Sequence, residues 1–181
     1  MLLHTPEGHI GWQAEGFELP DVEGRLHRLS DYLGGSALLV AFICNHCPYV
    51  QTIADRLAQD TDELMAEGIN VLAIMSNDFQ AVSADSPANM KRFAAQHRFE
   101  FPYLVDKDQS VAKTYGAVCT PDFFGFTSQG RLQYRGRLDD AGRGASDHRC
   151  RELVEAMRQI AKTQKGPEVQ HPSIGCSIKW R

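Results

Sequence analysis

The sequence lacks the features of a membrane or nucleic-acid protein. Its longest continuous apolar stretch, Ala37–Cys44, has eight residues, far short of the ~20 that span a bilayer. Lys and Arg number 19 against 23 Asp and Glu, which gives a net charge of −4, and no basic run could follow a phosphate backbone. We therefore expect neither a membrane nor a nucleic-acid partner.

Cysteine is sparse, and nothing at the N-terminus is typical of secretion. The segment MLLHTPEGHIGW has no basic region followed by an apolar run, so no secretory signal is expected. The five cysteines are an odd count, which argues against a closed disulfide framework and favours the reducing cytoplasm. They are Cys44, Cys47, Cys119, Cys150 and Cys176.

The composition is that of a globular domain, with 43% hydrophobic and 23% charged residues. A chain of 181 residues buries roughly 70% of its unfolded surface, so its core needs neither disulfides nor a metal. We expect one domain over 1–181, with a C-terminal tail over 163–181 packed on it, and no cofactor.

Apolar runs at 37–43 and 69–75 predict two buried strands of a sheet covered on both faces. The helical stripe between them begins after Pro48 and closes with Gly68 just past its end. A strand–helix–strand crossover implies parallel strands with a right-handed connection.

Patterns in the second half of the sequence predict further helices and strands, and the predicted hairpin adds antiparallel strands to this sheet. They are a helix opened by Ser86 and Pro87, a strand at 103–105, a short helix ending at Gly116, a hairpin of strands at 123–127 and 132–137, and a final helix from near Ser146 to Gly166. The fold class is therefore α/β, with a mixed central sheet flanked by helices.

The stretch that carries chemistry is Cys44-Asn45-His46-Cys47-Pro48, where a buried strand gives way to a helix. Pro48 is well placed for the first helical position, which puts Cys47 at the N-cap. The helix dipole and its unpaired N–H groups favour a thiolate there, and His46 could add positive charge. We therefore expect Cys47 to have a lowered pKa.

A second motif, Cys119-Thr120-Pro121-Asp122, precedes the hairpin. Pro121 is a candidate cis-proline, and such a turn leaves backbone groups free to pair with an extended peptide. Cys119 either faces the same site or is a structural core residue, and the sequence leaves both interpretations open.

With these motifs the chain resembles the thioredoxin-like superfamily, in the strand–Cys–Pro–helix at 37–65, the Thr-Pro turn at 120–121 and the hairpin at 123–140. Residues 17–32 resemble the N-terminal hairpin extension of the redoxin (AhpC/TSA-like) branch. CNHCPYV and the ending at 173–180, SIGCSIKW, resemble a peroxiredoxin-like group of bacterial thiol-disulfide proteins. The resemblance implies a thioredoxin-like fold with that hairpin extension.

The resemblance also implies an activity. The superfamily's first active-site cysteine lies five residues after a strand Phe, and counting from Phe42 reaches Cys47. The second position, which is the peroxidatic one in peroxiredoxins, holds Val50, so a thiol peroxidase is the less favoured alternative. The implied function is a thiol–disulfide oxidoreductase in which Cys47 attacks and Cys44 or Cys176 resolves.

The implied partners are protein or small-molecule disulfides and thiols, together with a cellular thiol reductant. The implied catalytic residues are Cys47, Cys44 and Pro121, with substrate contacts from Thr120, His46 and Pro48 and a possible third thiol at Cys176. No metal is expected in this site.

A metal-binding or redox-sensing protein is the alternative from a different class. A soft ligand set suited to Zn or Cu(I) consists of Cys44, His46, Cys47, His171 and Cys176. The spacing from His171 to Cys176 is not that of a standard zinc finger, which weakens this alternative.

The tail carries Ile174, Ile178 and Trp180, which are costly to expose, so we expect it to dock on the domain. Whether it docks beside Cys47 is left open by the sequence.

Overall fold

The computed structural model describes all 181 residues. Its elements in chain order are β1 (Leu2–His4), β2 (Glu18–Pro20), β3 (Leu26–Arg28), β4 (Ala37–Phe42), α1 (Pro48–Ala66), β5 (Asn70–Met75), α2 (Pro87–His97), β6 (Tyr103–Val105), α3 (Ser110–Tyr115), β7 (Cys119–Thr120), β8 (Asp122–Thr127), β9 (Leu132–Gly136), α4 (Glu152–Thr163) and β10 (Ile174–Ser177). No helix combines the length and the apolar character needed to cross a bilayer.

Five strands form the mixed central sheet in the spatial order β6-β5-β4-β8-β9. β4, β5 and β6 run parallel, while β8 and β9 are antiparallel to their neighbours. The expected mixed α/β sheet is therefore confirmed, and its two buried strands begin and end within one residue of their predicted bounds.

Strand β4 lies in the middle of this sheet, and all six of its residues are buried. Because successive side chains of a strand point to opposite faces, Leu39 and Ala41 join the core under α1 and α4, while Leu38, Val40 and Phe42 join the core under α3. Helix α1, which follows β4, therefore starts at the end of a strand whose two faces are both packed against the core.

The predicted N-terminal hairpin extension is confirmed as β2 and β3, which pair antiparallel with Glu18 opposite Arg28. Asp21, just after β2, bridges to Leu104 of β6, so the hairpin lies along the outer edge of the central sheet.

The tail docks as expected, through a small second sheet in which β10 lies between β1 and β7. Backbone hydrogen bonds hold it at both ends: Thr5 N–H donates to Ser173 at 3.0 Å, and Asp78 N–H donates to Lys179 at 2.8 Å. Ile178 is buried. The expectation is wrong for Trp180, which stays 41% exposed because its ring lies against the Lys113 ammonium instead of entering the core.

The predicted start of the final helix is also wrong. The helix begins at Glu152 and not near Ser146, because ion pairs pull the preceding chain onto α1. The Arg149 guanidinium forms a two-pronged contact with the fully buried carboxylate of Asp60, at 2.6 and 2.7 Å. Residues before Arg151 therefore form a loop pinned to α1.

Candidate functional site

Cys47 is the N-cap of α1, with extended backbone angles (φ −68°, ψ 122°), and Pro48 follows at the first helical position. Its carbonyl accepts the N–H groups of Val50 at 3.0 Å and Gln51 at 2.9 Å, which start the helix. The thiol therefore lies at the positive end of a 19-residue helix, as the sequence predicted.

The register of β4 with β8 brings the second motif to this helix end. Phe42 pairs with Asp122, so the residues just before β8 lie beside the loop that follows β4. The Thr120–Pro121 peptide bond is cis, which confirms that prediction.

Thr120 contacts both sulfur atoms of the C-x-x-C motif. The Cys44 Sγ lies 3.3 Å from the Thr120 hydroxyl oxygen, and the Cys47 Sγ lies 3.4 Å from the Thr120 carbonyl oxygen. Both cysteines are buried, at 1% and 0% exposure respectively. The two motifs, more than seventy residues apart in sequence, thus form a single site.

The third thiol at this site comes from the tail. In the pairing of β10 with β7, Cys176 lies opposite Thr120, whose carbonyl oxygen is 3.4 Å from the Cys47 sulfur. Cys176 is only half-buried. The structure thus places the tail beside Cys47, a question that the sequence left open.

The pKa of Cys47 is lowered, whereas the pKa values of Cys44 and Cys176 are raised. Hydrogen bonding from Cys44 is the largest cause that lowers the pKa of Cys47, to about 4, and Cys176 and the Val50 N–H lower it further against the effect of burial. The same contact with Cys47, together with burial, raises the pKa of Cys44 well above its ordinary value. Burial and Cys47 raise that of Cys176 to about 11. These shifts favour a thiolate at Cys47 and protonated thiols at Cys44 and Cys176.

Asp85 is a site residue that the sequence analysis missed. Its carboxylate is fully buried and lies 2.5 Å from His46 Nδ1. It also accepts the Asn45 N–H and the Asn77 side-chain amide, each at 2.8 Å. Burial opposes its charge, but these donors hold the pKa of Asp85 below its usual value. The hydrogen bond from His46 to Asp85 raises the pKa of His46, which favours an imidazolium beside the cysteines.

The metal-ligand set suggested by the sequence is not assembled. His171 lies 3.4 Å from Glu152 and outside the cysteine cluster. Possible ligand atoms of Cys44, His46 and Asp85 do lie within 4.8 Å of one another. Both Asp85 oxygens, however, already accept hydrogen bonds from protein donors. The donor set therefore favours a hydrogen-bonded anchor for the 44–47 loop over a metal centre.

The two remaining cysteines lie in different surroundings. Cys119 is fully buried on β7, where burial and the nearby Asp122 charge raise its pKa to about 12, so it is a structural thiol. Cys150 is exposed and lies in the loop before α4, not inside the helix where the sequence placed it.

The solvent side of the site offers a small binding space. Pro48 is exposed and His46 is half-buried, whereas Thr120 and Pro121 are buried beneath the sulfurs. A cavity of about 260 Å³ lies next to the site. It is lined by His4, Tyr49, Ile53, Pro121, Arg137, Leu138, Asp139, Asp140, Gly142, His171, Pro172, Ser173 and Ile174.

A mixed sheet with a cysteine at the N-terminus of the helix after its central strand, facing a cis-proline turn, defines a thioredoxin-like redox fold. Comparison with known proteins agrees and is more specific. Residues 10–135 match the AhpC/TSA family. The chain is 31% identical over 117 residues to Peroxiredoxin Bcp of Escherichia coli (strain K12), covering 65% of this chain and 70% of that protein. This chain therefore belongs to the AhpC/TSA family.

Two further relatives extend the comparison. Thiol-disulfide oxidoreductase ResA of Geobacillus thermodenitrificans (strain NG80-2) is 26% identical over 126 residues, covering 68% of this chain and 67% of that protein. The crystal structure of a hypothetical protein from Sinorhizobium meliloti 1021 superposes with a TM-score of 0.93 at 40% identity, covering 98% of each chain. The docked tail is therefore part of a fold that a relative shares along almost its whole length.

Proposed function

We propose that the protein is a thiol–disulfide oxidoreductase in which Cys47 is the nucleophile and Cys44 or Cys176 resolves the mixed disulfide. The observation that carries this proposal is the thiolate-stabilising position of Cys47 at the N-cap of α1, with the thiols of Cys44 and Cys176 grouped around the same Thr120. A thiolate is the reactive form in disulfide exchange, and a neighbouring thiol is what completes the exchange.

The other predicted site residues have positioning roles in this proposal. The Thr120 hydroxyl, 3.3 Å from the Cys44 sulfur, holds that sulfur in place, and Pro121 shapes the turn beside Cys47. The imidazolium of His46, held by Asp85, adds positive charge at the mouth of the site. The chain would act as one domain in a reducing compartment, on thiol and disulfide substrates regenerated by a cellular thiol.

Peroxide reduction is the second candidate function, because Bcp is named a peroxiredoxin. The peroxidatic position implied by the resemblance is Val50, a buried residue of α1 that cannot react with peroxide. Any peroxidase activity would have to use Cys47. We therefore expect hydrogen peroxide to be consumed more slowly than a small disulfide by the same enzyme preparation.

The test is disulfide mapping by mass spectrometry after oxidation of the reduced protein with one equivalent of glutathione disulfide. The expected product is an intramolecular disulfide that contains Cys47. Turnover of glutathione disulfide in the presence of dithiothreitol should be lost in Cys47→Ser and kept in Cys150→Ser, which removes an exposed thiol outside the site. Oxidation confined to other cysteines, or full turnover by Cys47→Ser, would refute the proposal.

A further inference from the structure

The backbone edge beside the cis-proline turn is already occupied by the protein's own tail. β10 pairs antiparallel with β7, with Cys176 opposite Thr120, and the Ile178 N–H donates to the Val118 carbonyl at 2.9 Å. Proteins that bind an extended peptide at a sheet edge need that edge free. Here no second extended chain can pair with Thr120 while the tail is docked.

The fit at this edge depends on a residue without a side chain. A Cβ atom on Gly175 would lie 1.7 Å from the Thr120 carbonyl oxygen, a distance that no real side chain tolerates, and 3.1 Å from Pro121 Cδ, which is a tight contact. Gly175 thus lets the tail backbone approach the cis-proline turn closely. The glycine at position 175 therefore permits the close pairing of β10 with β7.

This arrangement leaves Cys176 as the one cysteine of the three that is partly exposed to solvent. Cys44 and Cys47 are 1% and 0% exposed, whereas Cys176 is half-buried. Disulfide exchange requires the attacking sulfur to reach the sulfur that it attacks. An outside disulfide can meet Cys176 directly, but it can meet Cys47 only if the tail leaves.

We propose that Cys176 is the catalytic thiol that exchanges with the outside substrate, that β10 serves as a permanently attached substrate strand for Cys47, and that the outside substrates are small thiols and disulfides instead of extended polypeptides. This inference rests on the proposed oxidoreductase function. It keeps the thiol–disulfide exchange but changes the order of attack, because Cys176 and not Cys47 takes the outside sulfur first and Cys47 then completes the exchange, and it adds the substrate class.

The reaction steps balance in this scheme. Cys176 attacks a small disulfide RSSR while its proton passes to the Cys47 thiolate. The bond between the two substrate sulfurs breaks, and the departing thiolate takes that proton from Cys47 and leaves as RSH. The restored Cys47 thiolate then attacks the Cys176 sulfur, which forms the Cys47–Cys176 disulfide and releases the second RS⁻. Two electrons have moved from the protein to RSSR.

Regeneration runs through the same sulfur. A small thiolate attacks the exposed Cys176 sulfur of the disulfide, and Cys47 leaves as a thiolate. A thiol of low pKa is the better leaving group, so the pKa difference between Cys47 and Cys176 directs the attack to the sulfur that solvent reaches. The small thiolate that regenerates the enzyme is that of the reductant, R′S⁻, and a second R′S⁻ attacks the Cys176 mixed disulfide to form R′SSR′. The released Cys176 sulfur takes up a proton from solvent and returns to the thiol, so the net reaction is RSSR + 2 R′SH → 2 RSH + R′SSR′.

The adjacent cavity agrees with a small substrate. Its volume, about 260 Å³, is below the ~300–1,000 Å³ typical of pockets for drug-sized ligands. Ile174, on the same face of β10 as Cys176, lines it together with Tyr49 and Pro121. The cavity thus lies beside the cis-proline turn and has the size for a small group and not for a polypeptide.

The experiment traps the first mixed disulfide with glutathione disulfide as the probe. Cys47→Ser and Cys176→Ser are compared in a Cys150→Ser background, which removes the exposed thiol outside the site. We expect Cys47→Ser to form the mixed disulfide on Cys176 more slowly, because the Cys47 thiolate that accepts the Cys176 proton is absent, but to accumulate one glutathione there, because the resolving thiolate is absent as well. We expect Cys176→Ser to form a mixed disulfide on Cys47 at least about tenfold more slowly, because serine leaves the tail docked over it.

The reverse result, rapid glutathionylation of Cys47 in Cys176→Ser and none of Cys176 in Cys47→Ser, would overturn the inference. A second measurement uses insulin as a polypeptide disulfide. The wild type should reduce insulin at least about tenfold more slowly than glutathione disulfide; equal rates per disulfide would also overturn it. Turnover that survives in Cys176→Ser but not in Cys47→Ser defeats this inference alone, whereas the absence of any intramolecular disulfide that contains Cys47 after oxidation of the wild type defeats the proposed function.

Discussion

The N-terminus of α1 and strand β7 each contribute a fully buried cysteine next to the cis-proline turn, yet the two thiols differ in pKa by many units. Hydrogen bonding from Cys44 lowers the pKa of Cys47 to about 4, while burial raises that of Cys119 to about 12. Both side chains are 0% exposed. Burial alone therefore does not decide whether a cysteine at this site is reactive.

The difference lies in the donors that face each sulfur. Cys47 lies at a helix N-terminus, where Cys44, Cys176 and the Val50 N–H favour its thiolate and lower its pKa. Cys119 lies inside a strand, near the carboxylate of Asp122, and has no such donors. At Cys47, groups that stabilise a thiolate outweigh the free-energy cost of burying its charge. At Cys119 such groups are absent, so that cost raises the pKa.

The largest expected effect is on turnover. Cys47→Ser should lower disulfide turnover by a factor of at least about 1,000, because it removes the thiolate on which both exchange steps depend. Cys119→Ala should leave turnover within about twofold of the wild type, since the pKa of Cys119 keeps it protonated. Steady-state reduction of glutathione disulfide measures both. A comparable loss in Cys119→Ala would show that the two positions share the chemistry.

Displacement of the tail should increase the difference in reactivity between Cys47 and Cys119. Gly175→Ala places a Cβ against the Thr120 carbonyl, so β10 can no longer pair closely with β7. Alkylation of Cys47 by iodoacetamide near neutral pH should then rise at least about tenfold, because a thiolate becomes accessible. Cys119 should stay unlabelled in both proteins. Peptide-resolved mass spectrometry separates the sites, and unchanged labelling of Cys47 would mean that the tail does not shield it.

The two cysteines should also differ in how they link stability to pH. The folded pKa of Cys47 is lowered, so its contribution is full above the unfolded pKa near ~8.5 and is lost as the pH falls toward about 4. The difference in free energy of unfolding between wild type and Cys47→Ser should therefore grow from about pH 5 to pH 8, by at most ~1.4 kcal/mol per pH unit.

The folded pKa of Cys119 is raised, so its contribution is present below ~8.5 and is lost only as the pH rises toward about 12. The difference between wild type and Cys119→Ala should therefore stay constant from about pH 5 to pH 8. Urea unfolding under reducing conditions measures both variants. A flat profile for Cys47→Ser would contradict the assigned thiolate.

The smallest expected effect concerns Thr120, which lies between the two regions. Thr120→Val removes the hydroxyl that lies 3.3 Å from Cys44 but keeps the carbonyl that contacts Cys47. The free energy of unfolding should fall by about 1 kcal/mol, the usual net value of one hydrogen bond. Turnover should change by less than about tenfold, since the Cys47 thiolate keeps its other donors. A loss as large as that of Cys47→Ser would give the hydroxyl a direct chemical role.

Local signals in the sequence predicted the α1 side of this comparison well. Pro48 after Cys47 located the helix start, and the Thr120–Pro121 turn before an apolar strand located the cis bond. These features depend on the backbone preferences of a few neighbouring residues, which a sequence displays directly.

Contacts between distant residues were not predictable in this way. Asp85 reaches His46 across 39 positions, and nothing in its own neighbourhood marks it as a site residue. β1 has three residues, too few to show a strand period, yet it forms one side of the tail sheet. The start of α4 was misplaced because Arg149 is committed to a carboxylate on another helix. Such pairings depend on the assembled fold and not on local pattern.

The central claim is that Cys47 is a thiolate near neutral pH although it is fully buried. Its most direct test is the ultraviolet absorbance of thiolate as a function of pH in the reduced wild type, Cys47→Ser and Cys119→Ala. The account predicts one titration step well below ~8.5 in the wild type and in Cys119→Ala, and its loss in Cys47→Ser. A step that persists in Cys47→Ser, or a wild type that shows no thiolate until the pH reaches ~8.5, would contradict it.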